Sequence, residues 1–157
     1  MQIYPVSGFW NNLCFWCPFF SWVLAQLIKM ALHFAKTRNI DFRYLASTGG
    51  MPSAHSATVS GLATSVGLTR GFDSALFAIA TVFAIITMFD ASTVRRAAGL
   101  QAQIINKMIH DVFKEKKIHN TRLRELLGHT RTEVWAGMFT GIALSTAICL
   151  TVARFSK

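Results

Sequence analysis

The chain has 157 residues, of which 52% are hydrophobic and only 15% charged, and its mean hydropathy is +0.39. That balance excludes an ordinary soluble domain, and the blocking of apolar residues into long runs marks an integral membrane protein. The net charge of +9 sits mostly in two connecting segments, which argues against nucleic acid as a partner and for anionic lipid or phosphate.

Residues 1–12 are uncharged and carry Tyr4, Phe9 and Trp10, aromatics suited to a membrane interface. No positive charge precedes the first apolar run, so no cleavable signal peptide is expected. Cys14-Phe15-Trp16-Cys17 has the spacing of a redox or zinc motif. It lacks the second pair a zinc site needs, and it reads as two thiols at the membrane interface. The first span is expected at 14–35. Pro18 opens its regular helix, and Pro18 to Ala35 covers about 27 Å, near the thickness of the hydrocarbon. Gln26, Lys29, His33 and Lys36 follow at steps of three, four and three, and so form one polar stripe. Such a stripe should face protein or water rather than lipid, although Lys36 can reach the headgroups by snorkelling.

The connection 36–52 carries Lys36, Arg38 and Arg43 against Asp41. It runs into Thr48-Gly49-Gly50-Met51-Pro52-Ser53-Ala54-His55-Ser56. Glycines allow a tight turn, and proline suits the first turn of a helix. Ser53 can cap that helix, whose N-terminus favours an anion, and His55 falls in its first turn. The plainer reading is a turn that starts a membrane helix. The second span, 53–69, is rich in Ala, Ser, Thr and Gly, which lets helices pack closely in lipid and places it at the centre of a bundle. The third, 74–92, is strongly apolar and leads into Asp90, Arg95 and Arg96. These are a functional-site candidate or, more simply, a pairing at the headgroup level.

Residues 97–116 place Ala97, Leu100, Ile104, Ile105, Met108, Ile109, Val112 and Phe113 on one helical face, with lysines elsewhere. This predicts an amphipathic helix on the membrane surface, with His110 and His119 as surface residues. Arg122, Arg124, Gly128 and His129 precede the fourth span, 133–153. There Gly137 and Gly141 form a G-x-x-x-G face, suited either to a homodimer or to packing within the bundle.

The fold class expected is therefore all-α, a single membrane domain of four spans with an added surface helix. Twelve Lys/Arg lie in the segments 36–52 and 94–132, against Arg70, Arg154 and Lys157 on the other side. By the positive-inside rule the basic face is cytoplasmic, as in an inner (plasma) membrane protein with both termini outside. The same topology gathers Lys29, Ser53, His55, Arg95, Arg96, His129 and Glu133 at one end. Two histidines, a carboxylate, several cations and a helix N-terminus suit phosphoryl transfer through histidine. His129 and Glu133, four apart, share a helix face if the helix begins there, so that the carboxylate can hold the imidazole in its reactive tautomer. A zinc site of His55, His129 and Glu133 is the rival; its spacing matches no compact zinc motif, and the surrounding cations favour an anion.

Pro52-Ser53-Ala54-His55 resembles the P-S-G-H motif of the type 2 phosphatidic acid phosphatase superfamily, which also contains the vanadium haloperoxidases. Gly128-His129-Thr130-Arg131-Thr132-Glu133-Val134-Trp135-Ala136-Gly137 resembles the end of its third motif, G-x-H-x-x-x-D-V-x-x-G. The closer resemblance is to the superfamily's divergent branch. It extends through Ser47-Thr48-Gly49-Gly50-Met51-Pro52-Ser53, Met88-Phe89-Asp90-Ala91 with Arg95-Arg96, and Glu125-Leu126-Leu127-Gly128-His129. The resemblance implies that His129 is the nucleophile, Glu133 its orienter and His55 the general acid. It also implies that Ser53 with its neighbouring backbone, including Gly50, binds phosphate. The position of the third-motif arginine is Leu123 here, flanked by Arg122 and Arg124; Arg95 or Arg96 can take the role if 97–121 is an insertion. Lys36 and Arg43 have the spacing of the first motif, with Tyr44 for its proline and Lys29 as a competing lysine. Ala54 stands for glycine, Glu133 for aspartate, and four spans for six. The expected activity is hydrolysis of a lipid phosphomonoester or pyrophosphate, such as phosphatidylglycerol phosphate, phosphatidic acid or polyprenyl pyrophosphate. It would need no metal or other cofactor. The alternative is a non-catalytic protein that binds lipid phosphate.

Overall fold

The computed structural model describes residues 7–39, 50–112 and 128–155. They form α1 (Ser7–Trp10), α2 (Leu13–Thr37), α3 (Ala54–Arg70), α4 (Ala75–Ser92), α5 (Val94–Val112) and α6 (Arg131–Phe155), with no strand among them. The protein is an all-α membrane protein.

Its packing is that of lipid rather than water. The buried side chains of α4 are alanines (Ala80, Ala84 and Ala91), whereas Ile79, Val82, Phe83, Ile85, Ile86 and Phe89 point outward. Lipid tails are as apolar as these side chains, so they gain nothing by turning inward, and small residues are left to bring the backbones together. Three stretches are long and apolar enough to cross a membrane: Leu13–Thr37, Ala75–Ile109 and Arg131–Phe155. The fourth expected span, α3, is shorter and more polar. It packs against α2, α4 and α6 as the centre of the bundle, so it need not be apolar. Its hydroxyls are satisfied within the helix, as where Thr58 donates to the Ala54 carbonyl and Thr69 to the Ser65 carbonyl.

The face of α6 turned to α3 and α2 is a stripe of Gly137, Gly141, Ser145 and Cys149, spaced by four and buried throughout. A Cβ on Gly137 would meet the Ser53 carbonyl, and one on Gly141 the Ala57 carbonyl. The G-x-x-x-G face is therefore taken up inside the bundle and is not open to a second copy. Deeper along the same contact, Ser21 and Ser145 hydroxyls lie 3.4 Å apart beside Gly61, and the Cys17 and Cys149 thiols are 3.8 Å apart.

One inter-helix hydrogen bond makes a modest prediction. Ser60 donates to the Met138 carbonyl across the α3–α6 contact (3.1 Å) and also to the Ser56 carbonyl in its own helix (2.6 Å). Because the local bond remains as an alternative in any helical state, Ser60→Ala should cost no more than about 1 kcal/mol, read from unfolding in mixed detergent micelles.

The helix start differs from expectation at α2. Pro18 lies inside the helix rather than at its start. Asn12 is the N-cap, its carboxamide oxygen accepting from the Cys14 N–H at 3.1 Å, so the helix begins five residues earlier. The extra turn stacks Phe9, Trp10, Phe15, Trp16, Phe19 and Phe20 into one aromatic cluster, a belt at this end of the bundle. On the far half of α2, Gln26 and Lys29 are buried while Lys36 is exposed, so the deep part of the polar stripe faces protein.

α5 follows α4 after Thr93. Among the described elements it packs against α4 alone, and Leu100, Ile104, Ile105 and Met108 are exposed along it. Residues 113–116 of the expected surface helix lie outside the described residues, as do Tyr4 and His119.

Candidate active site

Three helix ends, the starts of α3 and α6 and the end of α4, meet at one end of the bundle, and two backbone hydrogen bonds tie them. The Ser53 N–H, just before α3, donates to the Glu133 carbonyl in the first turn of α6 (3.0 Å). The His129 N–H, just before α6, donates to the Ala91 carbonyl at the end of α4 (2.9 Å). Each incoming segment turns on a glycine at positive φ, Gly50 at 92° and Gly128 at 97°, a region that residues with a Cβ seldom enter. The Met51–Pro52 peptide between Gly50 and α3 is cis.

The start of α6 builds the central pair. Thr130 and Glu133 form a reciprocal capping box. The Thr130 hydroxyl accepts from the Glu133 N–H (3.3 Å), and Glu133 Oε2 accepts from the Thr130 N–H (3.1 Å). The same Oε2 lies 3.0 Å from His129 Nδ1. A carboxylate can only accept, so this contact assigns the proton to Nδ1 and leaves the lone pair on Nε2. His129 is 3% exposed, held on one side by the carboxylate and on its backbone by α4. The glutamate in place of the superfamily's aspartate has a physical reason here. A side chain at the third helical position must reach back to both the cap N–H and the imidazole, and the longer arm does so.

His55, in the first turn of α3, is exposed, and its ring centroid is 6.4 Å from that of His129. Lys29 reaches the site from α2. It is 4% exposed, and its stem lies along Gly50. Of the two competing lysines, Lys29 therefore borders the Gly50 turn. Lys36 is exposed, about 10 Å further along the same helix.

Ser53 is fully buried, and its hydroxyl is the α3 N-cap, accepting from the Ser56 N–H (3.3 Å) and the Ser56 hydroxyl (3.0 Å). Its oxygen thus serves the helix, and the α3 N-terminus it organises is what faces the site. Asp90 is half-buried, one residue before the carbonyl that holds His129. Arg95 and Arg96 lie in the first turn of α5, where Arg96 is exposed. Arg43, Arg122 and Arg124 lie outside the described residues. Among the described residues, no three His, Cys, Asp or Glu are grouped to hold a metal ion.

Two participants were missed in the sequence. Thr130 carries a signal that was available, the T-x-x-E spacing of a capping box ahead of an apolar run. The Ala91 carbonyl carries none, because a backbone acceptor on another helix leaves no trace in residue type.

One end of the helical membrane bundle thus holds a histidine–carboxylate pair, a second histidine and a buried lysine. The family model described as the Divergent PAP2 family matches residues 10–144, and the chain belongs to that family. It is 44% identical over 137 residues to a protein of Bacillus subtilis (strain 168) named as the uncharacterized membrane protein YuiD; the match covers 80% of this chain and 87% of that one. No solved structure matches the chain.

Proposed function

We propose that this protein is a membrane phosphatase that hydrolyses a lipid phosphomonoester or pyrophosphate through a phosphohistidine. The observation that carries the reading is the His129–Glu133 pair, 3.0 Å apart, with the His55 ring 6.4 Å away. Nε2 of His129 attacks phosphorus, forming the N–P bond as the P–O bond to the lipid breaks. His55, protonated, gives its proton to the leaving oxygen. Glu133 stabilises the imidazolium character that grows on His129, and Lys29 with the α3 N-terminus offsets charge on the phosphoryl oxygens. Water, deprotonated by His55, then attacks phosphorus, releases phosphate and restores both histidines. The setting favours a lipid substrate, since the tails can stay in the bilayer while the headgroup meets the polar end.

The membrane side follows from charge. Lys36, Arg38, Arg96 and Arg131 lie toward the histidine end, and Arg70 and Arg154 toward the other. We place the site on the cytoplasmic face of the plasma membrane.

The test is phosphate release by the purified protein in detergent from phosphatidylglycerol phosphate, phosphatidic acid and polyprenyl pyrophosphate. Turnover of one of them, inhibited by vanadate, is expected. Retention of these lipids with no release from any would replace the enzyme with a binder of lipid phosphate.

Glu133→Gln separates orientation from folding. Glutamine is accepted in a capping box, so thermal stability should change little. It cannot supply the charge that holds His129, so kcat should fall roughly 100-fold or more with KM nearly unchanged.

A further inference from the structure

At the end of the bundle opposite the histidines, a groove of about 370 Å³ runs between α3 and α4, with the start of α2 at its mouth. Leu62 and Val66 of α3 and Ile79, Ala80 and Phe83 of α4 make its walls, and Asn12 and Arg70 stand at its polar end. Arg70 is exposed in the last turn of α3. From Arg70 to Leu62 the helix covers about 12 Å, close to the hydrocarbon depth of a single leaflet. The groove is therefore apolar over one leaflet and cationic at that leaflet's surface.

The plain reading of Arg70 is compensation of the α3 C-terminal dipole. That accounts for the charge but not for the apolar groove that ends beneath it. The chemistry that matches both is an amphiphile with an anionic head. A guanidinium offers a planar fork to phosphate oxygens. The Asn12 carboxamide uses its oxygen on the Cys14 N–H, so the donor it has to offer a headgroup is its NH₂. We propose that this groove binds an anionic glycerophospholipid of the leaflet opposite the candidate active site. One acyl chain lies between α3 and α4, and the headgroup phosphate meets Arg70 and Asn12. This site is separate from the histidines and does not depend on their being catalytic.

The experiment is native mass spectrometry of the full chain in detergent, titrated with phosphatidylglycerol or with phosphatidylcholine of the same acyl chains. Wild type should retain phosphatidylglycerol more tightly than phosphatidylcholine. Arg70→Gln should weaken the phosphatidylglycerol complex about tenfold, the loss of one charge-assisted contact, and weaken phosphatidylcholine less, because its quaternary ammonium offsets the charge of the same phosphate. Arg154→Gln, which removes an exposed cation at the same end of the bundle, should change neither. The proposal is overturned if the two lipids bind alike, or if the two arginine variants weaken phosphatidylglycerol equally. It is also overturned if the face instead pairs two copies of the chain, seen as a dimer that Arg70→Gln disperses without added lipid.

Discussion

Phosphate release should fall by roughly 1,000-fold or more in His129→Ala, to the background of the detergent blank. In the proposed mechanism His129 is the nucleophile. Its Nδ1 is engaged by Glu133 at 3.0 Å, which leaves the electron pair on Nε2, and its backbone is anchored to α4. His55 sits differently: it is exposed in the first turn of α3, whereas His129 is 3% exposed and lies against Glu133. The measurement is an initial rate at saturating lipid, together with an alkaline, detergent-quenched trap for protein-bound phosphate. Wild type should yield an acid-labile, alkali-stable phosphoprotein, and His129→Ala none. Removing a buried imidazole also leaves a cavity, so His129→Gln, which fills more of it, should be equally inactive with a smaller loss of stability. Full activity in either variant would remove the phosphohistidine mechanism. His55→Ala should behave differently. A general acid matters in proportion to how poor the leaving group is, so its loss should slow the first step, read from the burst of leaving group, strongly for a lipid alkoxide and little for an aryl phosphate.

The second large effect is expected one helical turn beyond Glu133, at a residue with no side chain. Gly137→Ala adds one methyl where α6 crosses the start of α3. That methyl would collide with the Ser53 carbonyl and come within 3.0 Å of Ser56 Cβ. Backbone cannot rotate away as a flexible side chain would, so the two helices must separate. Overpacking of this kind costs about 1–3 kcal/mol. The functional loss should exceed the loss of stability. The Ser53 N–H to Glu133 carbonyl bond lies at the same crossing, and it holds the helix of His55 against the helix that starts at His129. Variants should be compared by unfolding in mixed micelles and by kcat on the same lipid. Gly8→Ala, where a Cβ meets nothing within 4 Å, is the control and should change neither. An active, stable Gly137→Ala would mean that α3 and α6 are not in contact as described.

The membrane class, the helical fold and the chemistry-bearing residues were legible because each leaves a local trace. Apolar runs give spans, and the Ala/Ser/Thr/Gly content of 53–69 pointed to a central helix, which α3 is. His129 and Glu133 could be paired because four residues make one helical turn. The number of lipid-crossing helices was less legible: α3 lacks the hydropathy of the others because it faces protein, and a scale built on lipid exposure does not register that. Pro18 misled for a related reason, since proline is tolerated at a helix start but does not define one when Asn12 caps the chain earlier.

By itself, then, the sequence determined that this chain is a helical membrane protein and that His55, His129, Glu133 and Lys29 belong to one end of it. Periodicity and charge placement are properties of neighbouring residues, and they survive without knowledge of the fold. Only the tertiary structure decided which partners those residues use. Gly137 and Gly141 face α3 rather than a second copy, Lys29 rather than Lys36 borders the Gly50 turn, and Ser53 spends its hydroxyl on a helix cap. Each of those outcomes depends on how closely two backbones approach across long sequence separations, and that distance is set by packing of the whole bundle rather than by any local pattern.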